Sequence, residues 1–177
     1  LNTHIETILN IAKADNSPLV LDKKQLAVLP ILKDVIENIQ LKYPESSIQI
    51  QSPKTEISIE ADTFHFTNLV YNLLDNAIKY CEKKPKKINR NREKSNQMQL
   101  DFTDNGIGIS NKNLPFIFDK FYRIPSTKSN EVNGFGLGLY YVKKICTLHH
   151  WKISAKNNAI QGITISILIP ILNHIET

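Results

Sequence analysis

The chain has 177 residues, 41% of them hydrophobic and 22% charged, with a formal net charge of +5. That is an ordinary composition for one soluble globular domain plus a short appendage. The longest apolar stretches, residues 69–74 and 163–172, fall short of the roughly 20 residues a membrane-spanning helix needs, and no charged and apolar leader opens the chain.

Cys81 and Cys146 lack CxxC spacing, which predicts free thiols in a reducing compartment and hence a cytoplasmic setting. Much of the positive charge is local. Lys83, Lys84, Lys86, Lys87, Arg90, Arg92 and Lys94 crowd one stretch without an aromatic residue, so it reads as a solvated loop rather than a base-stacking nucleic-acid patch.

In chain order, Leu1, Ile5, Ile8, Leu9 and Ala12 share one face at helical spacing, and the turn ending at Pro18 stops that helix. A short strand is expected at 19–21. A second helix is expected over 28–41, with Leu29, Leu32, Val35, Ile36 and Ile39 inward. Residues 47–51 and 56–60 alternate with period two and read as a hairpin. Asp62 is a good N-cap for a long helix over 63–81. Then come a strand at 97–103, an aromatic stretch at 114–122, an aperiodic polar segment at 125–133, a helix from near Leu137 to about His149, and strands at 151–156 and 162–169. This order lacks βαβ alternation and predicts an α+β two-layer sandwich, a mixed sheet packed against helices.

Three patterns carry chemistry. Asn72, Asn76 and Lys79 or Tyr80 share one stripe of the long helix, where amides can hold a hard metal ion or phosphate and Lys adds positive charge. An exposed polar face is the simpler reading of that stripe alone. Asp104-Asn-Gly-Ile-Gly108 ends a strand with an acceptor-only carboxylate, suited to an exocyclic amine, although the same residues also make an ordinary turn. Gly134-Phe-Gly-Leu-Gly138 opens a helix, where free amides and the dipole attract anions. It has neither the dinucleotide fingerprint nor the Gly-Lys-Ser/Thr of a P-loop.

Together, Asn72-Leu-Leu-Asp-Asn-Ala-Ile-Lys-Tyr80, Asp104-Asn-Gly-Ile-Gly108, Phe116-Ile-Phe-Asp-Lys-Phe-Tyr-Arg123 and Gly134-Phe-Gly-Leu-Gly-Leu139 resemble, in order and spacing, the N, G1, F and G2 boxes of sensor histidine kinases in the GHKL superfamily. The resemblance covers roughly residues 1–170. It implies the ATP-binding catalytic domain at 17–172, with 1–16 as the end of a dimerisation and phosphotransfer helix plus linker, and 173–177 as a tail.

By that resemblance the cofactors are ATP and Mg2+. Asn76 is the metal ligand, and Asn72 and Lys79 lie near the phosphates as the other catalytic residues. Tyr80 packs on the nucleotide, Asp104 reads the adenine amine, and Gly106 and Gly108 shape its pocket. Gly134, Gly136, Leu137 and Gly138 form the phosphate loop. Residues 119–133 match a lid with Arg123 and Lys128 as its cations, and Phe116, Phe118, Phe121 and Tyr122 anchor it to the core.

Related ATPases carry a general-base Glu where this chain has Asn72, which cannot take a proton at neutral pH, so transfer to a protein histidine fits better than hydrolysis. No residue context of His4, His65, His149, His150 or His174 matches the acceptor motif, so the acceptor is expected outside this chain. The implied partners are the histidine-containing dimerisation domain of the same kinase and a response regulator. The implied setting is the cytoplasmic part of a membrane-anchored sensor, dimeric in the full-length protein. The alternatives are a non-catalytic nucleotide-binding regulatory module and a hydrolytic ATPase. Two departures stand out: residues 86–96 are strongly polar where the family has a clear strand, which implies a short or disordered one, and Gly162-Ile-Thr-Ile165 stands where the family has Gly-Thr-Thr-Phe.

Overall fold

A computed structural model describes residues 19–51, 57–81, 96–124 and 135–172, together with the backbone of 90–94. The expected helix in 1–13 lies outside these residues. Strand β1 (Lys23–Ala27) runs into helix α1 (Val28–Lys42). No side chain caps α1; the Val28 amide instead donates to the Ile57 carbonyl at 3.1 Å, supplying one of the partners a helix start lacks. The buried stripe is Val28, Leu32, Val35, Ile36 and Ile39, with Val28 inward where Leu29 was expected.

Strand β2 (Ser58–Asp62) does not form the expected hairpin with 47–51. It pairs antiparallel with β1, Lys23 opposite Asp62 and Ala27 opposite Ser58. Alternation finds a strand with one buried face but is blind to which strand lies beside it. Asp62 then caps helix α2 (Thr63–Lys79), its carboxylate accepting from the His65 amide at 3.0 Å and from the Asp22 amide at 2.9 Å. A cap of this kind stabilises by about 1 kcal/mol.

The second sheet has the order β3 (Arg90–Lys94), β4 (Gln97–Thr103), β6 (Ile163–Pro170), β5 (Lys152–Asn157). The ladders that join these six strands are all antiparallel. The short β3–β4 and β5–β6 connections permit nothing else, because parallel neighbours need a long crossover. The stretch read as a solvated loop contributes β3, since pairing with β4 uses backbone groups that side-chain polarity does not report.

Met98, Leu100 and Phe102 of β4 and Ile165, Ile167 and Ile169 of β6 face one core. Over it α2 lies between α1 and helix α3 (Gly138–Leu148). These helices over the sheet make the expected two-layer α+β sandwich. No described helix is long and apolar enough to cross a membrane. Cys81 and Cys146 are both free thiols, and burial pushes Cys146 up to about 12.

Candidate functional site

The start of α3 is set against the polar face of α2. A Cβ on Gly138 would lie 3.1 Å from Asn72 Oδ1 and 3.6 Å from Asn76 Nδ2, so any side chain there would fill the space between the two amides and the helix terminus. Asn72 spends its Nδ2 on the Asn68 carbonyl at 2.7 Å, which leaves its carbonyl oxygen toward α3. Buried Leu137 is the N-cap residue of α3 and its side chain makes no capping bond. Such a helix start suits an anion.

The Asp104 turn closes the other side. Asp104 Oδ1 accepts from the Gly106 amide at 2.9 Å and the Ile163 amide at 3.1 Å. Asn158 Nδ2 donates to the Asp104 carbonyl at 2.9 Å. No described residue bonds Oδ2, which is therefore the atom left to accept from a ligand. Burial pushes this carboxyl above its ordinary range against the pull of those two amides. Gly162 is where the chain comes closest, its φ +83° and the position of its missing Cβ 2.2 Å from the Asp104 carbonyl oxygen. Beside the turn, Ile107, Gly108, Ile109, Asn158 and Gly162 line a hollow of about 330 Å³. A larger hollow of about 450 Å³ lies between Phe118 and α3, but it lacks the amide pair and the glycine turns.

Tyr80 joins the two halves. As the C-cap of α2 its amide donates to the Asn76 carbonyl at 3.1 Å, while its carbonyl accepts from the Ile107 amide at 3.4 Å. A Cβ on Gly106 would stand 2.6 Å from that same carbonyl oxygen. Asn76 and the Asp104 turn are therefore one helical turn apart. The Tyr80 ring is half exposed.

Lys79, expected near the phosphates, is engaged within the protein. Its ammonium is held by Asp75 Oδ2, while Oδ1 takes Lys42 Nζ and the Tyr43 hydroxyl, each at 2.9 Å. Burial works to raise the Asp75 carboxyl, but the ammonium groups of Lys79 and Lys42 outweigh it and hold it below its ordinary range. Asp75 went unnoticed in the sequence, although its i,i+4 spacing to Lys79 was visible. Its partner Lys42 is 33 residues away, beyond the reach of any local pattern.

In the aromatic stretch the inward residue is Ile117, with Phe118 packed partly against the core. Phe116 and Phe121 are exposed, so they are not the core anchors expected, because the 3₁₀ turn Leu114–Phe116 points Ile117 inward in their place. The segment is tied instead through its backbone: the Phe121 amide donates to the Gly136 carbonyl at 3.1 Å. Gly136 has φ +67° and no room for a Cβ, which would lie 2.7 Å from the Tyr122 carbonyl oxygen. Arg123 is exposed just beyond. Lys128 and Gly134, and most of the expected lid, lie outside the described residues.

Sequence reasoning also missed Asn158, and with it the Thr164 hydroxyl, which donates to Asn158 Oδ1 at 2.7 Å and lies 2.9 Å from the Thr103 hydroxyl. The substitution at Ile163 leaves the Asp104 bond intact, because the backbone amide makes it. His65 and His149 are buried. Among the described residues no cluster of His, Cys, Asp and Glu could hold a metal.

A sequence model of the family described as histidine kinase-, DNA gyrase B-, and HSP90-like ATPase matches residues 61–173. The sensor protein RprX of Bacteroides fragilis is 36% identical over 180 residues, covering 98% of this chain and 34% of its own length. The chain thus spans about a third of the length of the curated relatives it matches. The mycobacterial sensor histidine kinase MprB has the same fold, with a TM-score of 0.73 at 21% identity over 84% of this chain and 97% of its own. Full-length ShkA in complex with AMPPNP gives a TM-score of 0.78 at 18% identity over 97% of this chain and 36% of its own. With the family model covering well over half of its length, the chain belongs to the histidine kinase-, DNA gyrase B- and HSP90-like ATPase family.

Proposed function

We propose that this chain is the ATP-binding catalytic unit of a two-component sensor histidine kinase, passing the γ-phosphoryl group to a histidine outside residues 1–177. The observation that carries the proposal is the meeting of Asn72, Asn76 and the uncapped start of α3 at Gly138, one helical turn from a half-buried carboxylate with Oδ2 open. The first arrangement suits a polyphosphate, the second an adenine amine. The solved ShkA complex, which holds an ATP analogue, has the same fold.

In this assignment Asp104 Oδ2 accepts from the adenine amine, with Oδ1 fixed by Gly106 and Ile163, and Gly106 and Gly108 shape the base pocket. Tyr80 packs beside the nucleotide. The amides of α3 around Leu137 and Gly138 receive the phosphates, with Gly134 and Gly136 in the preceding loop and Arg123 and Lys128 as lid cations. The residues present fit Mg2+: Asn76 would hold it beside the phosphates, where the ion supplies charge neutralisation. Asn72 has its amide nitrogen engaged by the helix backbone and takes no proton, so this chain offers no general base for water at that position. Catalysis rests on positioning and on electrostatic complementarity to the transferring group. Residues 17–172 are assigned to this unit, 1–16 to the end of the dimerisation and phosphotransfer helix plus linker, and 173–177 to a tail. The partners are that domain, which brings the acceptor histidine and dimerises, and a response regulator, on the cytoplasmic side of a membrane-anchored sensor.

The test is a titration with an ATP analogue and Mg2+, with Asn76→Asp and Asp104→Asn beside the wild type. Saturable binding weakened by both substitutions is expected, and equal binding by all three rejects the assignment. Adding a separately made acceptor-helix domain with labelled ATP should then label its histidine. Binding without labelling leaves a regulatory nucleotide module, and rapid phosphate release an ATPase.

A further inference from the structure

Asp75 sits in the nucleotide-site helix but faces α1, and two cations compete for it. Its side chain is 11% exposed, whereas those of Lys42 and Lys79 are 32% and 33% exposed. A carboxylate so buried cannot be left without compensation. Lys79 holds Oδ2, whereas Lys42 Nζ and the Tyr43 hydroxyl share Oδ1. Lys42 is fixed further by the Tyr71 hydroxyl at 3.2 Å and lies 4.9 Å from the centre of the Tyr43 ring. One carboxylate oxygen is thus served by the end of α1 and the other by the lysine of the nucleotide-facing helix.

This division has a consequence for Lys79. To reach a phosphate its ammonium must leave Oδ2, and the departure is tolerable only while Lys42 and Tyr43 keep Asp75 neutralised. We propose that Lys42 and Tyr43 are positioning residues for the nucleotide site, setting from α1 how readily Lys79 is released from Asp75 to the phosphates. The proposal rests on the nucleotide assignment above, with Lys79 in the place near the phosphates that the four-box resemblance implies. Removing Lys42 leaves Asp75 with Lys79 as its lone cation, tightens that pair, and weakens nucleotide binding at a distance.

The experiment is a titration of the 177-residue chain with a fluorescent non-hydrolysable ATP analogue and Mg2+. Lys42→Met should weaken binding by on the order of three- to ten-fold, within the lower part of the coupling seen between groups of one ion-pair network. Lys42→Arg, which restores the cation, should bind as the wild type does. Tyr43→Phe removes one hydroxyl and should weaken binding in the same direction by less, which keeps the proposal testable if Lys42→Met does not fold. In an Asp75→Asn background the Lys42→Met effect should vanish, as a general packing defect would not. Wild-type affinity in both Lys42→Met and Tyr43→Phe overturns the proposal, and so does an undiminished loss in the Asp75→Asn background. A wild-type chain that binds no analogue removes the nucleotide assignment and this proposal together, whereas normal wild-type binding with no Lys42 effect removes this proposal alone.

Discussion

Gly162 lies so close to Asp104 that a Cβ on it would stand 2.2 Å from the Asp104 carbonyl oxygen and 2.6 Å from Oδ1. Gly162→Ala must therefore move the Asp104 turn as well as strain its own φ of +83°. The expected result is a loss of about 2 kcal/mol or more in denaturant unfolding, together with loss of binding to an ATP analogue.

Asp104→Asn separates fold from recognition. The asparagine carbonyl keeps both amide bonds from Gly106 and Ile163, so the unfolding midpoint should move little. Its Nδ2 then stands where Oδ2 was and offers a donor to the adenine amine, itself a donor. Leaving such a pair unsatisfied costs about 1–3 kcal/mol, and calorimetric titration should show affinity reduced accordingly.

Gly138→Leu acts on the other half of the site. The new side chain begins 3.1 Å from Asn72 Oδ1 and grows into the space before the α3 amides. Leucine is favourable in a helix, so thermal stability should hold while analogue binding is lost. A variant that binds normally would show that the phosphates lie elsewhere.

A fourth expectation concerns pH. His149 Nε2 accepts from the Asp62 amide at 3.0 Å while Nδ1 lies 2.9 Å from the Ile145 carbonyl, so Nδ1 carries the proton and the ring is neutral. Burial lowers the proton affinity of His149, and Lys23 and His65 add to it against Ile145 and Asp62. Burial likewise lowers that of His65 despite Asp62. The folded state thus binds fewer protons than the unfolded one. Its stability should be full above about pH 6.5 and fall on acidification below that, by up to about 1.4 kcal/mol per pH unit for each proton. Asp62 and Asp75 are held low despite burial, by amide bonds and lysines respectively, and their contributions should disappear only below about pH 4. Unfolding midpoints at a series of pH values should resolve the histidine step, and His149→Gln, which keeps an acceptor, should flatten it.

Local patterns made the described helices and strands β2, β4, β5 and β6 legible, whereas β1 lies at 23–27 and not at the expected 19–21. Asp62 was readable as a cap, and β4 from its alternation, because both depend on neighbours in sequence. The β1–β2 pairing and the Lys42–Asp75 bond were not, because each joins segments more than thirty residues apart through contacts that leave no periodic trace. The glycines of the site were legible as places needing freedom, but only the fold shows what each gives way to: Gly138 to two amides, Gly106 to the Tyr80 carbonyl. Asn158 was invisible because it works through the Asp104 backbone.

Strand β6 is the last described strand to be synthesised, yet it is an interior one, between β4 and β5. Until it emerges from the ribosome, β4 has an unpaired edge and Leu100 and Met98 have no Ile167 and Ile169 beside them, an aggregation-prone condition for a nascent chain. The Ile163 amide that steadies Asp104 arrives with the same strand. Nucleotide competence should therefore appear late and abruptly during translation, and chains stalled before Ile163 should depend on chaperones rather than on ligand for protection.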